Sequence, residues 1–92
     1  MIHSITLNLP YDLSGADWVK VSAVYRSMNG WLDEHSSWFG PWGSERFIAA
    51  SAEPSGLLVE GNVDPLFFRG WMTKLCAKLT AALGKEVHDA EL

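Results

Sequence analysis

The stretch RFIAASAEPSGLLVEGNV, residues 46–63, decides the fold of this 92-residue chain. Its middle, EPSG, has turn chemistry, because Pro54 presets its own φ and Gly56 tolerates a positive one. If Ala52 faces Leu57 across that turn, the alternations of the two arms agree, and a slip of one residue would expose the apolar side. The segment therefore predicts a β-hairpin with a core face formed by Ile48, Ala50, Ala52, Leu57, Val59 and Gly61, and an opposite face formed by Phe47, Ala49, Ser51, Leu58, Glu60 and Asn62.

A helix is predicted on each side of this hairpin. After it, Asp64 supplies an N-cap and Pro65 occupies the first helical position, where its missing N–H costs nothing. Before it, Ser14 and Asp17 resemble a capping box with Asp in place of Glu or Gln, and the first helix is expected at about 15–29. The second helix is expected to end at glycine 84, and its apolar face consists of Phe68, Trp71, Met72, Leu75, Leu79, Ala82 and Leu83.

The two ends of the chain complete the topology. Residues 2–9 alternate between apolar and polar side chains, which indicates a half-buried strand that Pro10 ends. Residues 86–92 alternate in part and predict a final edge strand. The order β-α-β-β-α-β is that of a ferredoxin-like split β-α-β fold in the α+β class. We expect an antiparallel four-stranded sheet with two helices on one face, and a single domain spanning 1–92.

Composition excludes several classes of function. The formal net charge is −4, so a general attraction to nucleic acid is not expected, and Phe47 is the single aromatic residue on the uncovered sheet face, with no basic residue along the strands. One cysteine, Cys76, rules out an internal disulfide or a cysteine zinc site. The apolar runs are too short for a bilayer, so no membrane partner is expected, and no signal peptide opens the chain. A cytoplasmic location is the resulting prediction.

No catalytic, metal or cofactor motif is recognised, so the sequence argues against an enzyme without deciding the matter. His3, His35 and His88 are scattered, although the first and last predicted strands could bring His3 near His88. Cys76 has no basic neighbour on its helical face that would lower its pKa. No Gly-x-Ser-x-Gly elbow is present, and GPWG at 40–43 lacks the spacing and lysine of a P-loop. We therefore expect no cofactor and no metal.

The unusual feature is the segment WLDEHSSWFGPWGS, residues 31–44, which holds three of the five tryptophans and is predicted to be a long loop. One interpretation is that its rings plug the end of a small core. The other is that they form exposed anchors for a partner, with an acidic rim that attracts a basic surface. On the second interpretation, the partner-binding residues are Trp31, Asp33, Glu34, Trp38, Phe39, Trp42 and Glu45.

The uncovered sheet face is a second candidate surface, for a homodimer or a pocket, through Asn8, Phe47, Leu58 and Glu60. The first hypothesis for function is a small acidic, non-enzymatic module that binds another protein, such as a binder, inhibitor, immunity-type protein or adaptor. The alternative is a small dimeric ferredoxin-like enzyme or ligand-binding protein with an apolar pocket on that face. A subunit of a larger assembly is a third interpretation.

Overall fold

The computed structural model describes residues 2–32 and 35–91 and shows an α+β protein with an open, antiparallel, four-stranded sheet and two helices. The sheet order is β1-β4-β3-β2. In chain order the elements are β1 (His3–Leu7), α1 (Gly15–Ser27), β2 (Ser37–Trp38), β3 (Phe47–Glu53), β4 (Gly56–Asn62) and α2 (Pro65–Leu83).

The hairpin formed by β3 and β4 has the predicted register. Ala52 lies opposite Leu57, Ala50 opposite Val59 and Ile48 opposite Gly61. Of the predicted core face, Ile48, Ala50, Leu57 and Val59 line the main hydrophobic core, whereas Ala52, beside the turn, is exposed. The agreement of the two alternations through the turn was therefore sufficient to fix the pairing.

The ferredoxin-like order is not matched, because the fourth strand of the sheet is not the C-terminal segment. It is β2, within the segment predicted to be a loop, and Trp38 of β2 pairs with Ile48 on one side and forms a bridge to Trp31 on the other. The physical reason is that burial of the Trp38 indole also buries the backbone around it, whose N–H and carbonyl groups then need hydrogen-bond partners. Strand pairing supplies those partners.

The C-terminal segment 86–92, predicted to be a strand, contributes an isolated bridge between Leu7 and Asp89. Backbone hydrogen bonds flank it, from the Asn8 N–H to the His88 carbonyl (3.0 Å) and from the Ala90 N–H to the Thr6 carbonyl (2.8 Å). The pairing stops there because the chain turns at Ala90, where the Asp89 carboxylate accepts from the following backbone N–H of residue 91 (2.9 Å). Position 92 lies outside the described residues.

The predicted helix caps are present. The Ser14 hydroxyl accepts from the Asp17 N–H (3.1 Å), and the Asp64 carboxylate accepts from the first free N–H groups of α2. Gly84 closes α2 in the left-handed conformation with φ 72°. Helix α1 ends at Ser27, two residues before the predicted boundary, because residue 28 is already extended. Among the described residues, no helix is both long and apolar enough to cross a bilayer.

Gly70 offers a stabilising substitution within α2. It is exposed, and a Cβ built at this position meets no atom within 4 Å, so Gly70→Ala would remove backbone entropy from the unfolded chain without a clash. We expect Gly70→Ala to raise the free energy of unfolding by roughly 0.5–1 kcal/mol. The measurement is urea denaturation, with Gly84→Ala as the control.

A Cβ at Gly84 would also meet no atom within 4 Å, but Gly84 has φ 72°, a backbone conformation that is strained for any residue with a side chain. It is expected to lower stability by about 1–2 kcal/mol. Equal changes in the free energy of unfolding for both variants would contradict the assignment of Gly70 to a helix interior and of Gly84 to a helix end.

The core lies between the two helices and one face of the sheet. Val21, Leu75 and Leu79 of the helices are fully buried against Ile48 and Val59 of the sheet. Phe47 and Ala49 are also buried, although they alternate with the core residues along β3 and therefore face away from the helices. The second face of the sheet is thus partly covered by something other than a helix.

Candidate functional site

Trp38 is part of the core. It is 0% exposed, its Nε1–H donates to the Tyr25 carbonyl (3.0 Å), and its ring packs edge-on against Tyr25 (5.1 Å) and Trp71 (4.8 Å). Trp71 in turn donates through Nε1–H to the Asn29 carbonyl (3.1 Å). The expectation that Trp38 presents an anchor to a partner is therefore corrected, because a buried side chain offers no surface in this state.

Trp31 and Phe39 are half-buried at the border of this core. The Trp31 ring lies 5.5 Å from that of Trp38. Phe39 packs edge-on against Phe67 (5.3 Å), and the Arg46 guanidinium lies over both phenyl rings, at 5.0 and 5.6 Å. The core-plug interpretation thus accounts for most of the contacts of these rings. Positions 33 and 34, the two predicted acidic anchors Asp33 and Glu34, lie outside the described residues.

Trp42 is different, because 44% of it is exposed. Its ring is stacked on Phe47 with a centroid distance of 6.3 Å and an interplanar angle of 30°, on the sheet face away from the helices. The Trp42 Nε1–H donates to the His35 carbonyl (3.0 Å), which fixes the orientation of the indole. A tight turn, with the Ser44 N–H donating to the Pro41 carbonyl (3.1 Å), returns the chain toward β3.

This stack corrects one expectation for the uncovered sheet face. Phe47 is 4% exposed, so it is not free there; it is covered by Trp42. Leu58 and Glu60 remain half-buried on the same face, beside the fully buried Ala49. We call these five residues, Trp42, Phe47, Ala49, Leu58 and Glu60, the Trp42 surface.

Asn8 does not join the Trp42 surface. Its Oδ1 accepts from the His88 N–H (2.8 Å) and its Nδ2 donates to the Glu86 carbonyl (3.1 Å). The Asn8 side chain therefore holds the C-terminal segment against β1. The prediction that Asn8 contributes to a dimer or pocket face is corrected to this structural role.

The Trp42 surface is bordered by carboxylates. Glu53 follows along β3 and accepts from the Ser51 hydroxyl (2.8 Å), and Glu45 is exposed, with its backbone carbonyl accepting from the Asn62 side chain (3.1 Å). None of the described residues of β1, β3 and β4 is lysine or arginine. The face therefore combines an exposed aromatic ring with negative charge.

Sequence reasoning placed Trp42 and Phe47 on two separate candidate surfaces, and the structure joins them. The signal that could have linked them is local. Trp42 and Phe47 are five positions apart, and Gly43 between them adopts a positive φ (76°), which allows the chain to reverse tightly. The sequence analysis considered Gly43 only within the rejected P-loop match GPWG, and the direction of the reversal depends on β2, which the sequence did not reveal.

His3 and His88 line one cavity beside β1 but at opposite ends of it, since His3 begins the strand and His88 pairs with Asn8 just past its end, so the structure does not bring the two rings together. The His3 ring packs against Phe68 (5.5 Å), and the His88 ring lies 3.3 Å from the Asn8 amide. Within residues 2–32 and 35–91, no group of three or more histidine, cysteine or carboxylate side chains is arranged to hold a metal ion.

Cys76 is half-buried in α2 and faces the same cavity. Burial raises the pKa of the Cys76 thiol, and the negative charge of Asp89 raises it further. Both causes disfavour the thiolate, which is the nucleophilic form, so the site is poorly suited to cysteine catalysis.

The rate at which Cys76 is alkylated tests this assignment. At neutral pH, we expect iodoacetamide to modify Cys76 severalfold more slowly than it modifies a free cysteine, because less thiolate is present. Asp89→Asn should lower the pKa and raise the rate, since it removes the negative charge and leaves the burial unchanged. Lys85→Gln, at a residue that does not line the cavity holding Cys76, serves as the charge-change control. Alkylation of the native protein at the rate of a free cysteine would contradict the assignment.

Comparison of the chain with protein-family models, with curated proteins and with solved structures finds no match.

Proposed function

We propose that this protein is a small, non-enzymatic interaction module that binds another protein through the Trp42 surface, as a binder, inhibitor, immunity-type protein or adaptor would. The observation that carries the proposal is the exposed Trp42 ring, held over the buried Phe47 on a face that bears carboxylates and, among the described strand residues, no base. The proposal keeps the cytoplasmic location that the sequence predicts.

The geometry of Trp42 suits an anchor. Tryptophan is enriched among the residues that contribute most to binding energy, because it buries a large area while fixing few rotatable bonds. Here the indole is already oriented by the hydrogen bond to the His35 carbonyl and by stacking on Phe47. Little conformational entropy remains to be lost on binding, and this supports a preformed site.

The charge of the surface favours a basic partner. Glu60 lies on the Trp42 surface, Glu53 ends β3 and accepts from the Ser51 hydroxyl, and Glu45 is exposed two residues before Phe47. Carboxylates at a rim act mainly on the rate of association and on the choice of partner, and they do so most strongly at low salt. A second copy of this chain bound face to face would bring like charges together, so the proposal commits to a different protein.

The alternative, a pocket on this face that binds a ligand or substrate, has no specific observation in its favour. Three cavities of the described residues lie on the helical side of the sheet or along its β1 edge. Phe47, Leu58 and Glu60 line none of them.

The test is a comparison of single variants as tagged baits in extracts of the source cell, with captured proteins identified by mass spectrometry. Trp42→Ala and Glu60→Lys change the Trp42 surface. Leu66→Ala is the matched control, since Leu66 is a 75% exposed apolar residue of α2. We expect one protein to be captured by the native chain and by Leu66→Ala and to be lost with both surface variants.

The captured protein is then purified and titrated. Truncation of a central aromatic anchor costs at least about 2 kcal/mol, so Trp42→Ala should weaken binding by roughly thirtyfold, with the effect of Glu60→Lys declining as salt increases. Equal capture by Trp42→Ala and Leu66→Ala would refute the proposal. Light scattering of the purified chain decides the remaining case: a dimer that Trp42→Ala dissociates would show that the surface pairs with itself.

A further inference from the structure

The outer edge of β1 is open at the beginning of the strand. β1 is the terminal strand of the sheet, and its odd-numbered residues pair with β4. Its even-numbered residues direct their backbone groups outward, and the C-terminal segment uses two of these, the Thr6 carbonyl and the Asn8 N–H. The outward N–H and carbonyl of Ser4 have no backbone partner among the described residues, whereas Ala90 lies opposite Thr6.

A groove runs beside this open edge, between β1 and α2. The cavity measures about 550 Å³. Apolar side chains form its floor and walls, chiefly Ile5, Leu7, Phe68, Met72 and Val87. A volume of this size accommodates two or three side chains, which is the scale of a small-ligand or peptide site.

The two ends of the groove differ. The contact of His3 with Phe68 places the start of α2, including Arg69, beside the start of β1. The bridge between Leu7 and Asp89 closes the other end with the C-terminal segment. A strand laid against the open edge would therefore enter from the Arg69 end and stop at the closed end.

The charge of the groove is also distributed unevenly along it. Arg69 is exposed at the open end, and the one acidic side chain among the residues that line the groove, Asp89, is at the other end. Asp89 is at the closed end, close enough to Cys76 to raise the pKa of that thiol. A bound segment is thus complementary when its carboxylate lies at the open end and its apolar side chains lie between.

We propose that this groove binds an extended peptide segment of another protein, which adds to the edge of β1 as an antiparallel strand. Alternate apolar side chains enter the groove and an acidic residue at the C-terminal end of the segment meets Arg69. The C-terminal segment of the chain already pairs antiparallel with the same edge, so the edge accepts a strand in this direction. Main-chain hydrogen bonds then supply affinity, and the pockets and Arg69 supply selectivity. This site is separate from the Trp42 surface and does not depend on the function proposed for it.

The test uses the blocked pentapeptide Ac-VTVTE-NH2 and its charge-reversed partner Ac-VTVTK-NH2, titrated into the isotopically labelled protein and followed by NMR. We expect the acidic peptide to shift the backbone amides of Ser4 and Thr6. The basic peptide should bind about tenfold more weakly, which corresponds to a loss of roughly 1.4 kcal/mol.

Three variants locate the site. Arg69→Glu should reverse the preference between the two peptides, whereas Lys74→Glu, the same charge change on α2 outside the groove, should leave it unchanged. Ser4→Pro removes an outward N–H without touching the pairing with β4, so it should abolish binding of both peptides while the protein stays folded.

Several outcomes would overturn the proposal. They are the absence of shifts at Ser4 and Thr6 with millimolar peptide, equal affinity for the two peptides, and shifts centred on Trp42. Shifts of the Ser4 amide that depend on protein concentration without peptide would also overturn it, since the edge would then be occupied by a second copy of the chain. A failure here leaves the bait comparison with Trp42→Ala unaffected.

Discussion

Trp38→Ala is expected to lower the free energy of unfolding by about 3–5 kcal/mol, the range for removing a large buried aromatic side chain. Trp38 is fully buried between α1, α2 and the sheet, and its Nε1–H donates to the Tyr25 carbonyl. A small domain is stable by roughly 5–15 kcal/mol in total, so the variant should be close to unfolding. The measurement is urea denaturation followed by circular dichroism.

Two further variants separate the contributions at this position. Trp38→Phe keeps most of the apolar volume but leaves the Tyr25 carbonyl without its indole partner. It should therefore lose less than the alanine variant, with about 0.5–1.5 kcal/mol from the lost hydrogen bond, because the Tyr25 carbonyl still accepts from the Met28 N–H (3.2 Å). Trp42→Ala, at the exposed ring, should be the mildest of the three. A similar loss for Trp38→Ala and Trp42→Ala would contradict the division into a core tryptophan and a surface tryptophan.

Gly56→Ala is the second change with a large expected effect. Gly56 begins β4 with φ 137°, and a Cβ at this position would collide with the backbone carbonyl oxygen of Leu7. Because a carbonyl in a paired strand cannot turn aside, β1 must shift away from β4. We expect a loss of at least about 2–3 kcal/mol, combining backbone strain with displaced pairing.

Gly43→Ala is the matched control for this clash. Gly43 also has positive φ (76°), but a Cβ there meets nothing within 4 Å. The free energy of unfolding of Gly43→Ala should fall only by the strain of a residue in the left-handed conformation, about 1–2 kcal/mol. Both variants are compared by denaturation and by the NMR shifts of β1. If Gly56→Ala were no worse than Gly43→Ala and left the β1 shifts in place, the close approach of Leu7 to the turn would be refuted.

The parts of the fold that follow local chemistry were predictable from the sequence. The register of β3 and β4 followed from two alternations that share a turn, and the starts of both helices followed from Ser14 and Asp64. These features depend on residues close together in the chain. Their physical causes, alternation and capping, act over a few residues, and a single sequence displays them directly.

The parts that were missed depend on distant contacts. Nothing local in WLDEHSSWFGPWGS shows that Trp38 contacts Trp71, 33 positions along the chain, or that this burial makes Ser37–Trp38 a strand. The weak C-terminal pairing was overestimated for the same reason, since alternation at 86–92 gave no sign of the turn after Asp89. Of the candidate site, the residues Trp42 and Phe47 were identified, but their contact with each other was not.

The bridge between Trp31 and Trp38 has a consequence for assembly. It occupies the far margin of the sheet, where the Leu32 N–H also donates to the Ser37 carbonyl (3.2 Å), so that margin is already covered by the chain itself. A further strand can therefore add to the described sheet at β1. Once β1 has bound such a strand, the described sheet has no second open edge. Complexes built this way are finite pairs, and they cannot propagate into fibrils by repeated sheet extension.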